Sequence, residues 1–251
     1  MVAERSLPGR YVHIKSGSTV SDKDLRMASY VVSDIHGCID TLKHLVERKL
    51  KLSRVDTLYC LGDFIDRGPG SKQVLDYMME LRESGYLIEV LLGNHEEMFL
   101  NCFFERAMQG IWYSSGGSET LKSFEASSIE EIPERYIRFI SDMERFKILP
   151  DYLLVHAGFN FEIPDIFSDE FSMLWIRNYI VDPSKTGGRI VVHGHTPTML
   201  EVIKKNVDSA EECYRITIDN GAVYSDRPGM GSLVAMRLED RRLFVQANVD
   251  L

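Results

Sequence analysis

Tyr30-Val31-Val32-Ser33-Asp34-Ile35-His36-Gly37 is a short apolar run that breaks off into polar residues of the kind that hold cations. The run is rich in β-branched and aromatic side chains and too short for a helix, so it reads as a buried strand. The same cadence recurs along the chain. Thr57-Leu58-Tyr59-Cys60-Leu61 leads into Gly62-Asp63, and Ile88-Glu89-Val90-Leu91-Leu92 into Gly93-Asn94-His95-Glu96. Tyr152-Leu153-Leu154-Val155 leads into His156-Ala157-Gly158, and Ile190-Val191-Val192 into His193-Gly194-His195; Arg215-Ile216-Thr217-Ile218 is a further run. Between several of them the apolar spacing becomes helical. Ile39 to Leu50 carries Leu42, Leu45, Val46 and Leu50, and Ser71 to Ser84 carries Val74, Leu75, Met78, Met79 and Leu81 before Gly85 ends it. Strands alternating with helices predict an α/β architecture. In such sheets ligand-binding groups collect beyond the carboxyl ends of the strands, which is where these polar clusters fall.

The rhythm breaks from Asn101 to Pro150, where charge-rich helical patterns surround Trp112-Tyr113-Ser114-Ser115-Gly116-Gly117. This stretch, at about 101–150, reads as a helical insertion that caps or flanks the site. Gly231 to Val249 alternates apolar and polar residues and predicts a terminal hairpin turning at Glu239-Asp240-Arg241. Residues 1–28 show weak periodicity and read as a tail or an extra strand, leaving 29–251 as a single domain. A chain of 251 residues that is 44% hydrophobic can bury one sizeable core. Its formal net charge of −9 argues against a general nucleic-acid binder, which needs a basic face. Cys38, Cys60, Cys102 and Cys213 form no C-x-x-C pair, and free thiols in a chain this size point to the cytoplasm. Met1 to Arg10 has no apolar core of a secretory signal, and no run approaches the ~20 apolar residues that span a bilayer.

Five of the seven histidines, His36, His95, His156, His193 and His195, lie in the loops that follow strands. Together with Asp34, Asp63 and Asn94 they make a mixed oxygen and imidazole set. Such ligands suit manganese, iron or zinc better than calcium or magnesium alone. The set is large enough for two ions if one carboxylate bridges them, a standard device for phosphoryl hydrolysis. Taken singly, an Asp or His after a strand is more often a turn or cap residue; five such motifs in order favour a metal site. No G-x-S-x-G nucleophile is present, so no covalent phosphoenzyme is suggested. His13 and His44 read as surface residues, and Cys38, Trp112 and Tyr113 as core.

Asp34-Ile35-His36-Gly37, Gly62-Asp63-Phe64-Ile65-Asp66-Arg67-Gly68 and Gly93-Asn94-His95-Glu96 resemble the three signature motifs of the phosphoprotein phosphatase family, within the calcineurin-like metallophosphoesterases. His156-Ala157-Gly158 and Gly194-His195-Thr196 resemble its remaining metal motifs, and Leu174-Trp175-Ile176-Arg177 a segment of its bacterial branch. The likeness runs from about Tyr30 to Ala222. It implies two stacked mixed β-sheets flanked by helices, and two divalent ions, most simply Mn2+, with iron or zinc as alternatives. By the resemblance, Asp34 and His36 would hold the first ion, Asp63 would bridge, and Asn94, His156 and His195 would hold the second. Of the two histidines flanking Gly194 it selects His195, with His193 as the competing candidate. Arg67 and Arg177 would clamp phosphate oxygens. His95 would protonate the leaving group, with Asp66 fixing its tautomer.

The implied activity is hydrolysis of phosphate monoesters by a metal-bridging hydroxide, on phosphoserine or phosphothreonine of a phosphoprotein or phosphopeptide. The competing reading is a dinucleoside polyphosphate hydrolase on the same fold. Those relatives typically replace the Asp of the D-R-G motif and carry Asp after Asn-His, whereas this chain has Asp66-Arg67 and Asn94-His95-Glu96. No nucleic-acid or membrane partner is expected.

Overall fold

The computed structural model describes residues 27–251. The expectation of a tail or extra strand at 1–28 therefore lies almost wholly outside the described residues, as does His13.

Two mixed sheets form. The first has five strands and the second four. β1 (Ser29–Val32), β2 (Thr57–Cys60) and β3 (Leu87–Val90) run parallel, joined by helices. The first connection is α1 (Ile39–Lys43), which widens into a π-helical turn over His44–Leu50 and ends where Lys51 takes a left-handed conformation. The second is α2 (Ser71–Glu83). After β3 come α3 (Asn94–Phe104), α4 (Met108–Trp112), α5 (Ser118–Ser123) and α6 (Glu134–Ser141). β4 (Phe146–Ile148) pairs antiparallel with β5 (Tyr152–Val155), which runs parallel to β6 (Ile190–His193) and through it to β7 (Arg215–Thr217). α7 (Glu170–Trp175) lies in the β5–β6 connection. β8 (Ser232–Arg237) and β9 (Leu243–Ala247) form the terminal hairpin and close the first sheet beside β1.

The alternation along each strand sorts its side chains into layers. Val31, Leu61 and Leu91 from the first sheet meet Leu154, Val192 and Ile216 from the second, filling the space between them. Tyr30, Val32, Ile88 and Ala235 point the other way, under Leu42, Leu45, Val74, Leu75 and Phe99 of the helices. Leu153, Val155 and Val191 face outward from the second sheet onto Phe159, Ile166 and Met173. Strands covered on both faces are apolar at consecutive positions. That is why they read from the sequence as continuous runs.

Two expectations are corrected. Phe146–Ile148, the end of the stretch read as helical, is an edge strand; the Leu149–Tyr152 backbone hydrogen bond closes a tight hairpin there, and a run this short carries no periodicity to announce it. His44 is half-buried rather than on the open surface, because it sits at the margin of the helix face that buries Leu45 and Val46. Among the described residues no helix is long and apolar enough to cross a membrane.

A candidate binuclear metal centre

Every strand that faces the site delivers its polar loop at its carboxyl end. The first sheet supplies Asp34 and His36 after β1, Asp63, Asp66 and Arg67 after β2, and Asn94 and His95 at the start of α3. The second supplies His156 after β5 and His195 after β6. These loops are forced into uncommon backbone shapes. His36, Asp63, Asp66, Arg67 and His195 all have positive φ, between 46° and 71°. Non-glycine residues take that conformation at a cost and hold it only when their surroundings fix it.

Glu96 supplies much of that fixing. Its buried carboxylate accepts the backbone N–H of Asp63, Phe64 and Ile65 and that of Gly93, at 2.8 to 3.2 Å. Burial pushes the Glu96 carboxyl up to about 7. Four N–H groups aimed at its oxygens favour the ionised acceptor, and we take that form as the one the loop is built around. Gly194 passes so close to Asp34 that a Cβ there would stand 2.1 Å from Asp34 Oδ2, and a side chain would displace the carboxylate. Gly116, at φ 117°, backs onto the Arg67 backbone and gives its carbonyl to the Arg67 N–H at 3.2 Å.

The side chains meet as two clusters sharing one carboxylate. In the first, His36 Nδ1 donates to the Ile65 carbonyl at 2.9 Å, which leaves its Nε2 bare and 3.5 Å from Asp63 Oδ2. Asp34 stands between the two clusters: its oxygens accept the His195 backbone N–H at 3.1 Å and the Ser33 hydroxyl. Asp34, Asp63 and His156 each offer a ligand atom within 4.8 Å of the others, as do His36, Asp63 and His95. In the second, His156 Nδ1 donates to the Leu61 carbonyl at 2.9 Å, so its Nε2 is also a bare acceptor. That Nε2 lies 2.9 Å from Asn94 Oδ1, 3.2 Å from His195 Nδ1 and 3.5 Å from Asp63 Oδ1. His195 Nδ1 is 2.9 Å from Asn94 Oδ1. Three acceptors thus converge; the His95 backbone N–H serves Asp63 Oδ1 at 3.1 Å, and His195 can bring one proton to the others. Buried lone pairs pointed at one spot need a cation.

The donor chemistry therefore fits divalent ions. Asp63 turns one oxygen to each cluster, as a bridging carboxylate must. Burial pushes Asp63 well above the usual carboxylate range, drives His36 well below the usual imidazole range, and takes His195 down to about 2, with the Arg177 charge adding to it. His36 and His195 stay neutral and ready to coordinate, and a divalent ion beside Asp63 would offset the cost of burying its charge.

His95 is held differently. Its Nδ1 lies 2.6 Å from Asp66 Oδ2, and Asp66 also accepts from Trp112 Nε1 at 3.0 Å and Thr120 Oγ1 at 2.7 Å. Burial outweighs the Thr120 and Trp112 hydrogen bonds and raises Asp66 to about 8, and burial, opposed by Asp63 and reinforced by Arg67, lowers His95 to about 4. Arg67 Nη2 can only donate and points at Nε2, so Nδ1 carries the imidazole proton and faces the Asp66 carboxylate. His95 Nε2 then accepts from Arg67 Nη2 at 2.8 Å, while Arg67 Nη1 reaches His36 Nε2 at 2.8 Å.

The structure thus gathers Asp34, His36, Asp63, Asn94, His156 and His195 around two spots, with His95, Asp66 and Arg67 at their edge. Arg177 is exposed, makes no side-chain hydrogen bond among those described, and touches the site only through its field on His195. His193 turns away: its Nδ1 lies 3.0 Å from the Gly194 carbonyl and its ring packs 5.7 Å from Tyr179. Nothing in the sequence marks the four backbone partners of Glu96, and Trp112 reads there only as core. Trp112 is core, fully buried, but its indole N–H also anchors Asp66.

Residues 27–222 match the calcineurin-like phosphoesterase profile. A symmetrical bis(5'-nucleosyl)-tetraphosphatase of Salmonella arizonae is 40% identical over 77 residues, 31% of this chain and 26% of the relative; the match spans about a quarter of that protein's length. Among solved structures, a protein serine/threonine phosphatase of Saccharomyces cerevisiae superposes with TM-score 0.61 at 16% identity, covering 92% of this chain and 82% of its own. A chain provisionally assigned as a diadenosine tetraphosphatase gives 0.57 at 19% identity, covering 88% and 94%. The cold-active protein-tyrosine phosphatase of a Shewanella species gives 0.56 at 15%, covering 88% and 80%. At these identities the structures speak for the fold alone.

Proposed function

The chain belongs to the calcineurin-like phosphoesterase family, and on that premise we propose that it removes phosphate from phosphoserine or phosphothreonine in proteins. Asp34 and His36 would hold one divalent ion, Asn94, His156 and His195 the other, and Asp63 both, with Mn2+ as the natural choice. Bound there, the cations supply Lewis-acid activation of a water nucleophile and neutralise phosphate charge. Arg67 leaves its two imidazoles to bind phosphoryl oxygens, joined by Arg177 from the exposed side. Freed of Arg67, His95 takes a proton on Nε2, its charge balanced by Asp66, and gives that proton to the departing serine or threonine oxygen.

One observation carries this reading. The His95–Asp66 pair is locked by Trp112 and Thr120, and such a built-in acid matters for an alkoxide, a poor leaving group, far more than for a nucleotide phosphate, which departs without protonation. The second reading, hydrolysis of a dinucleoside tetraphosphate, is favoured by the 40% identity to the Salmonella tetraphosphatase. Assay of a phosphoserine peptide beside diadenosine tetraphosphate, with manganese present, separates them. Turnover of the peptide with little of the nucleotide supports the first reading, and turnover of the nucleotide alone overturns it.

A further inference from the structure

Phe171 and Trp175, one turn apart on α7, stack ring on ring with centroids 6.2 Å apart and planes 18° from parallel. Trp175 is pinned on its far side. Its indole N–H donates to Glu97 Oε2 of α3 at 2.8 Å, and its ring meets His195 edge-on at 6.3 Å. Phe171 gives one face to the indole and is still 69% exposed, so its other face is open. An aromatic ladder runs from the candidate metal centre through Trp175 to a free phenyl ring, and Arg177 follows two residues on.

A solitary exposed phenylalanine is ordinary. This one differs in being stacked on a fixed indole that touches a site residue, so it continues the site outward. We propose that Phe171, stacked on Trp175, forms a substrate subsite for an aromatic side chain near the phosphorylated residue of a peptide. The inference rests on the phosphoprotein reading above. The reach fits. The two ring separations laid end to end equal about four residues of an extended peptide, at ~3.3 Å each, and fewer where side chains span part of the distance. Charge selects the occupant. Glu97, Asp169 and Glu170 border the ladder, and the chain carries a net charge of −9. Arg145, 3.1 Å from Glu170, and exposed Arg177 offset part of this charge, and the remaining acidic balance suits an uncharged peptide backbone better than a tetraphosphate chain.

The test is Phe171→Ala, whose exposed position leaves the fold intact. Four substrates are compared with manganese present: phosphoserine peptides with Phe placed two, three or four residues to either side, the same peptides with Ala there, p-nitrophenyl phosphate, and diadenosine tetraphosphate. The expected result is a ~3–10-fold loss in kcat/KM, through KM, on at least one Phe-containing peptide only, with Phe171→Tyr restoring it. No loss on any Phe peptide, or an equal loss on all four substrates, overturns the proposal. So does a loss confined to diadenosine tetraphosphate, which would give the platform to a nucleobase. A wild-type protein that turns over no peptide overturns the functional reading and this inference with it. Wild type that cleaves Phe and Ala peptides equally overturns the subsite alone.

Discussion

His95 Nδ1 stands 2.6 Å from Asp66 Oδ2, and neither side chain is open to solvent. The contact fixes which imidazole nitrogen holds the resting proton and places a negative charge behind the ring. An acid so held is useful only where the leaving oxygen is basic. His95→Asn should keep bound metal and lower kcat on an alkyl phosphomonoester ~10²–10⁴-fold. The loss should shrink on p-nitrophenyl phosphate, whose phenolate leaves unaided. Steady-state kinetics on both substrates check this, and equal losses would remove His95 from the acid role.

Glu96 ties the Asp63 loop to the start of α3 through four backbone N–H groups. Glu96→Ala leaves these donors buried without partners. We expect a loss of about 3 kcal/mol or more in unfolding free energy. Urea denaturation in EDTA measures it free of any metal contribution.

Asp169 caps α7, accepting the Ser172 backbone N–H at 3.0 Å, the Ser172 hydroxyl at 2.8 Å and Asn160 Nδ2 at 3.0 Å. These bonds, Asn160's first, hold its carboxyl below the ordinary range. A depressed folded pKa means the unfolded chain binds the proton more readily. The stabilisation is therefore complete above the unfolded value of ~3.9 and is lost as pH falls through the lower folded value. Asp169→Ala should cost about 1 kcal/mol, constant from about pH 5 to 8, and the difference from wild type should close at strongly acid pH. Denaturation at several pH values reads the window.

Arg67 holds His36 and His95 together with one guanidinium. In the proposed reaction the same fork turns to phosphate. Arg67→Ala should weaken inhibition by inorganic phosphate ~10–100-fold, the worth of a lost charge-assisted bond. Unchanged phosphate inhibition would place Arg67 outside the substrate site.

The strands were legible because burial on both faces makes each a continuous apolar run, and the converging loops were legible because Asp, Asn and His follow those runs directly. What escaped the sequence lives in tertiary distance. Trp112 and Thr120 reach Asp66 from 46 and 54 residues away, and nothing local marks either as its partner. Glu96 stands at a helix start, where an acid needs no further reason, so its hold on the Asp63 loop stayed hidden. β4 is three residues long and was absorbed into the helical stretch before it. Arg177 was placed by resemblance, and its side chain stands at the rim rather than across the centre.

Binding of two ions depends on Asp63 turning one oxygen to His36 and the other to His156. Metal analysis of protein dialysed against manganese tests it most directly. We expect about two ions per wild-type chain and a clear loss in Asp63→Asn, with the folded state retained by circular dichroism. Wild-type protein that binds no divalent ion, or Asp63→Asn that binds as many as wild type, would contradict it.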